Sequence, residues 1–254
     1  AIPPDRILSL ARRPGVFLGA ALVGLIGLWC YRLRGTAAAA SVGAGLAAFD
    51  PNLIAHSSVV GNDLPLTLFF FLTLYILWEN SSRRSARLAV AAGIAAGLAL
   101  ATKFSALILV PIVGLLMAAH VCVGGLLPSR WTEPEDGRGG RMARLMSALV
   151  VGYLVATAAA SVVAISYLGT DPATWLEGFR WQLGHHSSGH DAFLFGEVSR
   201  RGWWSYFLIA FLLKTPLGSI FLILIGLLPI RLGRRIAPRD ACFLVVPIVL
   251  FFGA

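Results

Sequence analysis

Between two strongly apolar runs lies a polar island, Phe49-Asp-Pro-Asn-Leu-Ile-Ala-His-Ser-Ser-Val-Val-Gly-Asn-Asp63, which holds Asp50, Asn52, His56, Asn62 and Asp63. The chain has only 12 acidic residues, and two of them stand in this island, where hydropathy alone predicts membrane or its edge. Ionisable groups in such surroundings are costly, which marks them as candidates for binding or catalysis. Asp-Pro and Asn-Asp also suit turns and helix caps, so a solvated connector between membrane helices is the alternative reading.

Three further groups have the residue types for chemistry. Lysine occurs only at Lys103 and Lys214, while arginine serves everywhere else. Each lysine precedes an expected helix break, Lys103 at a turn and Lys214 two residues before Pro216. Lys214 lies about eleven residues into its helix, some 16 Å along the axis. A charge at that depth needs a polar cavity, a carboxylate or an anionic ligand, unless it snorkels to an interface. The late polar stretch carries His185, His186 and His190 among glycines and serines. Their spacing is compatible with a metal, but no cysteine or acidic fourth ligand is specified, and hydrogen bonding to a phosphate or sugar hydroxyl suits imidazole better. No metal or other cofactor is expected.

These residues must be positioned by membrane helices. The chain of 254 residues is 57% hydrophobic and 13% charged, with mean hydropathy +0.79, which excludes an ordinary soluble domain and points to an all-α, polytopic helical bundle. Its net charge of +9 punctuates apolar runs instead of clustering on a soluble face, which argues against a nucleic-acid partner. Cys30, Cys122 and Cys242 lie in or beside apolar segments without metal-ligand spacing, so no disulfide framework is suggested. Spans are expected at Val16–Tyr31, Thr36–Phe49, Leu64–Trp78, a hairpin within Leu88–Cys122 broken near Ala101–Ser105, Leu145–Tyr167 and Trp203–Ile230, the last broken by Lys214-Thr-Pro216. That makes about seven complete spans and a truncated one at Ala241–Phe252. Pro128–Arg144 reads as a hydrophilic connector, and residues 168–202 as a loop whose helix starts at Asp171-Pro172 and lays Trp175, Leu176, Phe179 and Leu183 in the membrane interface.

Alternating spans place Arg32 and Arg34, then Arg83, Arg84 and Arg87, then the arginines at 130–144 and 231–239, on one side. The positive-inside rule makes that side cytoplasmic. The polar island, the Lys103 turn, residues 168–202 and the basic stretch 1–14 then share the opposite face. The chain opens at Ala1 without methionine and stops inside an apolar run, so it reads as a fragment.

Ala48-Phe-Asp-Pro-Asn-Leu-Ile-Ala-His, Asn62-Asp-Leu-Pro-Leu-Thr-Leu-Phe, Ala101-Thr-Lys-Phe-Ser-Ala-Leu with Pro111, Gly184-His, Phe195-Gly-Glu, Gly202-Trp-Trp and Leu213-Lys-Thr-Pro-Leu follow one another through nearly the whole chain. In that order they resemble bacterial members of the protein O-mannosyltransferase superfamily, lipid-carrier-dependent glycosyltransferases of the GT-C fold. The resemblance implies transfer of a sugar from a polyprenyl-phosphate donor, with inversion, to a protein, lipid or glycan acceptor outside the cytoplasmic membrane of a bacterium. Such chemistry needs a carboxylate base for the acceptor hydroxyl and cations for the departing lipid phosphate.

Asp63 resembles the family's second acidic position and is the catalytic candidate within this chain, with the principal base expected upstream of Ala1. By the same resemblance Arg12, Arg13, Lys103 and Lys214 are candidates to meet the donor phosphate, while Asp50, Asn52, His56, His185, His186, His190 and Glu197 are candidates to line the site. The family's principal acidic motif lies in the first external loop, and residues 1–14 resemble the end of that loop. The first span and that motif are therefore expected upstream of Ala1, and residues 1–254 alone are expected to be inactive. The alternative function is a secondary transporter with a site at the broken helices near Lys103 and Lys214. It predicts repeated hydropathy in two halves, which the sequence does not show, and leaves the histidine-bearing loop without a role.

Overall fold

Helix α1 runs from Pro4 to Arg34 with Pro14 inside it. The basic stretch 1–14, expected to be loop, is therefore helical from Pro4 onward. Proline removes one backbone hydrogen bond but is tolerated in membrane-type helices, where neighbouring groups re-satisfy the freed backbone. The computed structural model describes residues 3–83, 85–123, 140–168, 171, 173–187, 191–200, 202–227 and 236–253. These fall into two units, residues 1–163 with 231–254, and residues 164–230.

In the first unit, α1 ends at Gly35, whose left-handed φ of 72° lets its N–H reach back to the Tyr31 carbonyl. The chain reverses into α2 (Ala37–Ala48), capped by the Thr36 hydroxyl accepting from the Ala39 N–H. Two short links lead through α3 (Pro51–Ser57) to α4 (Asp63–Arg83). Next comes α5 (Ala86–Thr102), which stops at Lys103; a 3₁₀ turn over Phe104–Ile108 then leads into α6 (Leu109–Val123). The break expected near 101–105 is thus present. Helix α7 (Arg141–Ser166) and helix α11 (Pro238–Gly253) complete the bundle.

Its core is aromatic at one end and small-residue in the middle. Trp29 sets its ring edge-on to Phe71 at 4.9 Å and to Tyr75 at 5.9 Å. Leu77, Ile112, Leu116 and Phe243 are wholly buried around them. Helix α5 contributes Ala92, Ala96 and Ala99, and its Gly93 and Gly97 face α7 so closely that a Cβ on Gly97 would lie 2.7 Å from the Ala159 carbonyl. This Gly93-x-x-x-Gly97 spacing is the usual device for bringing membrane helices together without a water-driven hydrophobic force.

The second unit contains α8 (Ala173–Ser187), a hairpin of β1 (Ala192–Leu194) and β2 (Glu197–Ser199), α9 (Tyr206–Lys214) and α10 (Leu217–Leu227). Asp171 caps α8 as its Asp-Pro sequence predicts, accepting from the Ala173 N–H at 2.9 Å. The hairpin was not expected; Phe195 and Gly196, at φ 51° and 92°, give the turn its two positive-φ positions. Helices α9 and α10 bend by 112° across Thr215-Pro216, where the break was expected.

Among the described residues four helices are long and apolar enough to cross a membrane, at 6–34, 63–83, 104–122 and 141–166, with a fifth if the bent pair is one span. This is fewer than the seven complete spans expected. The difference lies in α2 and α5, with 12 and 17 residues, which at 1.5 Å per residue reach about 18 and 26 Å of a roughly 30 Å core. The run expected at Thr36–Phe49 is itself short, and α5 stops where Lys103 leaves the helix in an extended conformation.

Candidate functional site

The polar island folds as α3 between two turns. Asp50 caps it, its Oδ1 accepting from the Asn52 N–H at 2.9 Å and the Leu53 N–H at 3.0 Å, while Pro51 takes the first helical position. The end of α3 is held against α1. Ser57 packs over Gly15 and Gly19, where a Cβ on Gly15 would stand 2.8 Å from the Ser57 carbonyl and one on Gly19 would collide with the Ser57 hydroxyl. The small residues of α1 therefore fix where His56 stands.

Asp63 opens α4, where the N-terminal end of the helix dipole favours a carboxylate. Its Oδ1 accepts from Lys103 Nζ at 2.6 Å. The backbone explains the reach: α4 and α5 run antiparallel, so the first residue of one meets the last turn of the other. Lys103, at φ −160° and ψ 138°, leaves the helix in an extended conformation at that level. On the other side of the carboxylate, His56 Nδ1 lies 3.9 Å from Asp63 Oδ2. A carboxylate thus sits between an ammonium and an imidazole.

All three side chains are open: Asp63 is 50% exposed, Lys103 42% and His56 55%. An exposed ion pair adds about 1 kcal/mol or less to stability. Stability therefore gives little reason for Lys103 and His56 to converge on Asp63. Availability to a ligand does, because the ammonium has three donors and Asp63 engages one.

Arg12 and Arg13 stand on α1 just before Gly15, at the same end of this unit, exposed and without an ion pair to any described residue. Asp50 and Asn52 serve the start of α3, and Asp50's carboxylate is committed to backbone N–H groups. The remaining candidates belong to the second unit. Glu197 is exposed on β2, paired in register with Leu194. Lys214 ends α9 at the bend and is exposed. His185 and His186 are on α8, their side chains outside the described part, and His190 lies outside the described residues altogether. In α8, Trp175 stacks on Phe179 at 6.0 Å, while Leu176 and Leu183 are about half exposed, as an interface-lying face would be.

Residues 9–125 match the family model of dolichyl-phosphate-mannose-protein mannosyltransferase. Over this stretch the chain is similar to that family. The match covers a little less than half of the 254 residues, and it takes in Arg12, Arg13, His56, Asp63 and Lys103. No curated protein and no solved structure matches the chain. The matched stretch is thus similar to a family named for mannose transfer from a lipid-linked donor, and within it His56, Asp63 and Lys103 converge at one end of the first unit. The Asp63–Lys103 bond itself was not foreseen, although both were placed on one face. The signal was available in the rarity of lysine and in the hairpin geometry, which sets the start of one helix beside the end of the next.

Proposed function

We propose that this protein is a glycosyltransferase of a bacterial cytoplasmic membrane that takes a sugar, mannose or a related hexose or pentose, from a polyprenyl-phosphate carrier. It delivers the sugar on the non-cytoplasmic side to an acceptor hydroxyl of a protein, lipid or glycan, with inversion at the anomeric carbon. The observation that carries this reading is the 2.6 Å bond between Lys103 and Asp63 at the membrane-edge end of the stretch that matches the mannosyltransferase family.

In such a transfer the glycosidic C–O bond to the phosphate breaks while the acceptor oxygen bonds the anomeric carbon from the opposite face. The acceptor's proton passes to a base, and the polyprenyl phosphate departs with its extra negative charge. A prepositioned cation lowers the barrier by meeting that charge as it develops. Lys103 takes this role, with Arg12 or Arg13 supplying further positive charge and Lys214 a candidate for the same task. Asp63 acts by holding Lys103 in place and, through its second oxygen, by orienting His56. A carboxylate already engaged by an ammonium is a weaker base, which favours positioning over proton abstraction. Asn52, His56, His185, His186, His190 and Glu197 are the groups suited to sugar hydroxyls or acceptor.

The test is release of polyprenyl phosphate from a labelled polyprenyl-phosphate sugar by the full-length protein in liposomes. Release that requires an acceptor is the expected result. No release from any lipid-linked sugar, together with flux of a free solute, would replace this reading with the transporter.

A further inference from the structure

At the opposite end of the first unit from Asp63 and Lys103, a cavity of about 1060 Å³ opens between the end of α1, the length of α2 and the start of α11. Its walls divide by chemistry. Arg32, Arg34, Arg239 and Asp240 form the rim, with Trp78 beside them, while Leu46 and Leu244 belong to an apolar side continued by the small residues of α2.

One of these arginines is held in a bracket. Arg239 donates from Nε at 3.0 Å to Asp240 Oδ1, with a second nitrogen at 2.9 Å, and also donates to the Ser82 hydroxyl. Its guanidinium lies 5.2 Å from the centre of the Trp78 ring, and the Trp78 indole N–H donates to the same Asp240 oxygen at 2.7 Å. A guanidinium has five N–H donors in a fixed fork, so this bracket orients Arg239 and still leaves donors for a ligand. Arg32 sits 3.8 Å from Glu79, whose carboxylate is more closely engaged by Arg83 at 2.5 Å. Arg32, Arg34 and Arg239 thus bring three guanidinium groups to a lining whose one carboxylate is Asp240. A solvated arginine cluster alone would need neither a recess of this size nor a lipophilic wall beside it.

We propose that this cavity binds an anionic membrane phospholipid, its phosphate on Arg32, Arg34 and Arg239 and its acyl chains along α2. Arg32 and Arg34 lie in the last turn of a candidate membrane span, the level at which headgroup phosphates sit. Basic pockets between membrane helices are suited to such headgroups. The volume exceeds what a bare phosphate fills, and the apolar wall matches a chain, which favours the lipid over the free ion. The site shares no residue with the Lys103–Asp63 pair and stands whether or not that pair transfers a sugar.

Native mass spectrometry of the full-length protein, released from micelles with added phosphatidylglycerol or phosphatidylcholine, tests this. Phosphatidylglycerol is expected to stay bound where phosphatidylcholine is stripped, and Arg32→Gln with Arg34→Gln to weaken its retention about tenfold, the loss of a charge-assisted contact or two. Arg239→Gln is a second, independent variant expected to act in the same direction. Equal retention of the two lipids, or unchanged phosphatidylglycerol binding in both variants, would overturn the proposal. Displacement of the lipid by millimolar inorganic phosphate would also overturn it, assigning the cavity to a free anion.

Discussion

Asp50 and Asp63 are thirteen positions apart in one polar island, yet they carry different tasks. Asp50 spends its carboxylate on two backbone N–H groups of α3, whereas Asp63 faces outward to Lys103 and His56. Asp50→Ala should cost about 1 kcal/mol of local helix stability and accelerate amide exchange at Asn52 and Leu53. Unchanged exchange there would contradict the cap. At this scale the sequence told which residues were unusual, because two acids among apolar runs and two lysines among arginines stand out by composition. It did not tell which of them meet, since a side-chain pair forty residues apart depends on the register of α4 against α5. The Arg239–Asp240–Trp78 bracket was hidden for the same reason; Arg239 looked like one more charge setting topology.

Elements were legible where a local rule set them and less so where packing did. The breaks at Lys103 and Lys214 and the Asp171 cap follow from turn, proline and cap chemistry. The true start of α1, about twelve residues before its apolar run, does not, because Pro14-Gly15 has the composition of a turn and is carried through as helix. Close approach was the other unseen feature. Gly97 of α5 lies against the α7 backbone at Ala159, so Gly97→Ala should force the helices apart and cost about 1–3 kcal/mol. By contrast Gly45 of α2 has nothing within 4 Å of an added Cβ, and Gly45→Ala should stabilise by about 0.5–1 kcal/mol. Thermal unfolding of the two variants in one detergent checks the contrast, and equal shifts would contradict the packing.

Across the first unit, charge is sorted between two ends. One holds Asp63, Lys103 and His56 beside the basic start of α1; the other holds Arg32, Glu79, Arg83, Arg239 and Asp240. The α4 helix of 21 residues, about 30 Å long, separates them by the thickness of a bilayer core. Such a division gives each end its own chemistry, and the proposed function sets the Asp63 end on the acceptor side, which accords with what the positive-inside rule requires of the opposite, arginine-rich end. In the proposed function Lys103, held by Asp63, serves a lipid-linked phosphate and not the fold. The direct measurement is the rate of sugar transfer from a polyprenyl-phosphate donor by the full-length Lys103→Met variant, alongside its thermal unfolding. An exposed pair contributes about 1 kcal/mol or less to stability, so unfolding should move by only a few degrees, while transfer falls at least about tenfold with the lost charge-assisted contact. Transfer at the unaltered rate in a stably folded Lys103→Met protein would contradict the account.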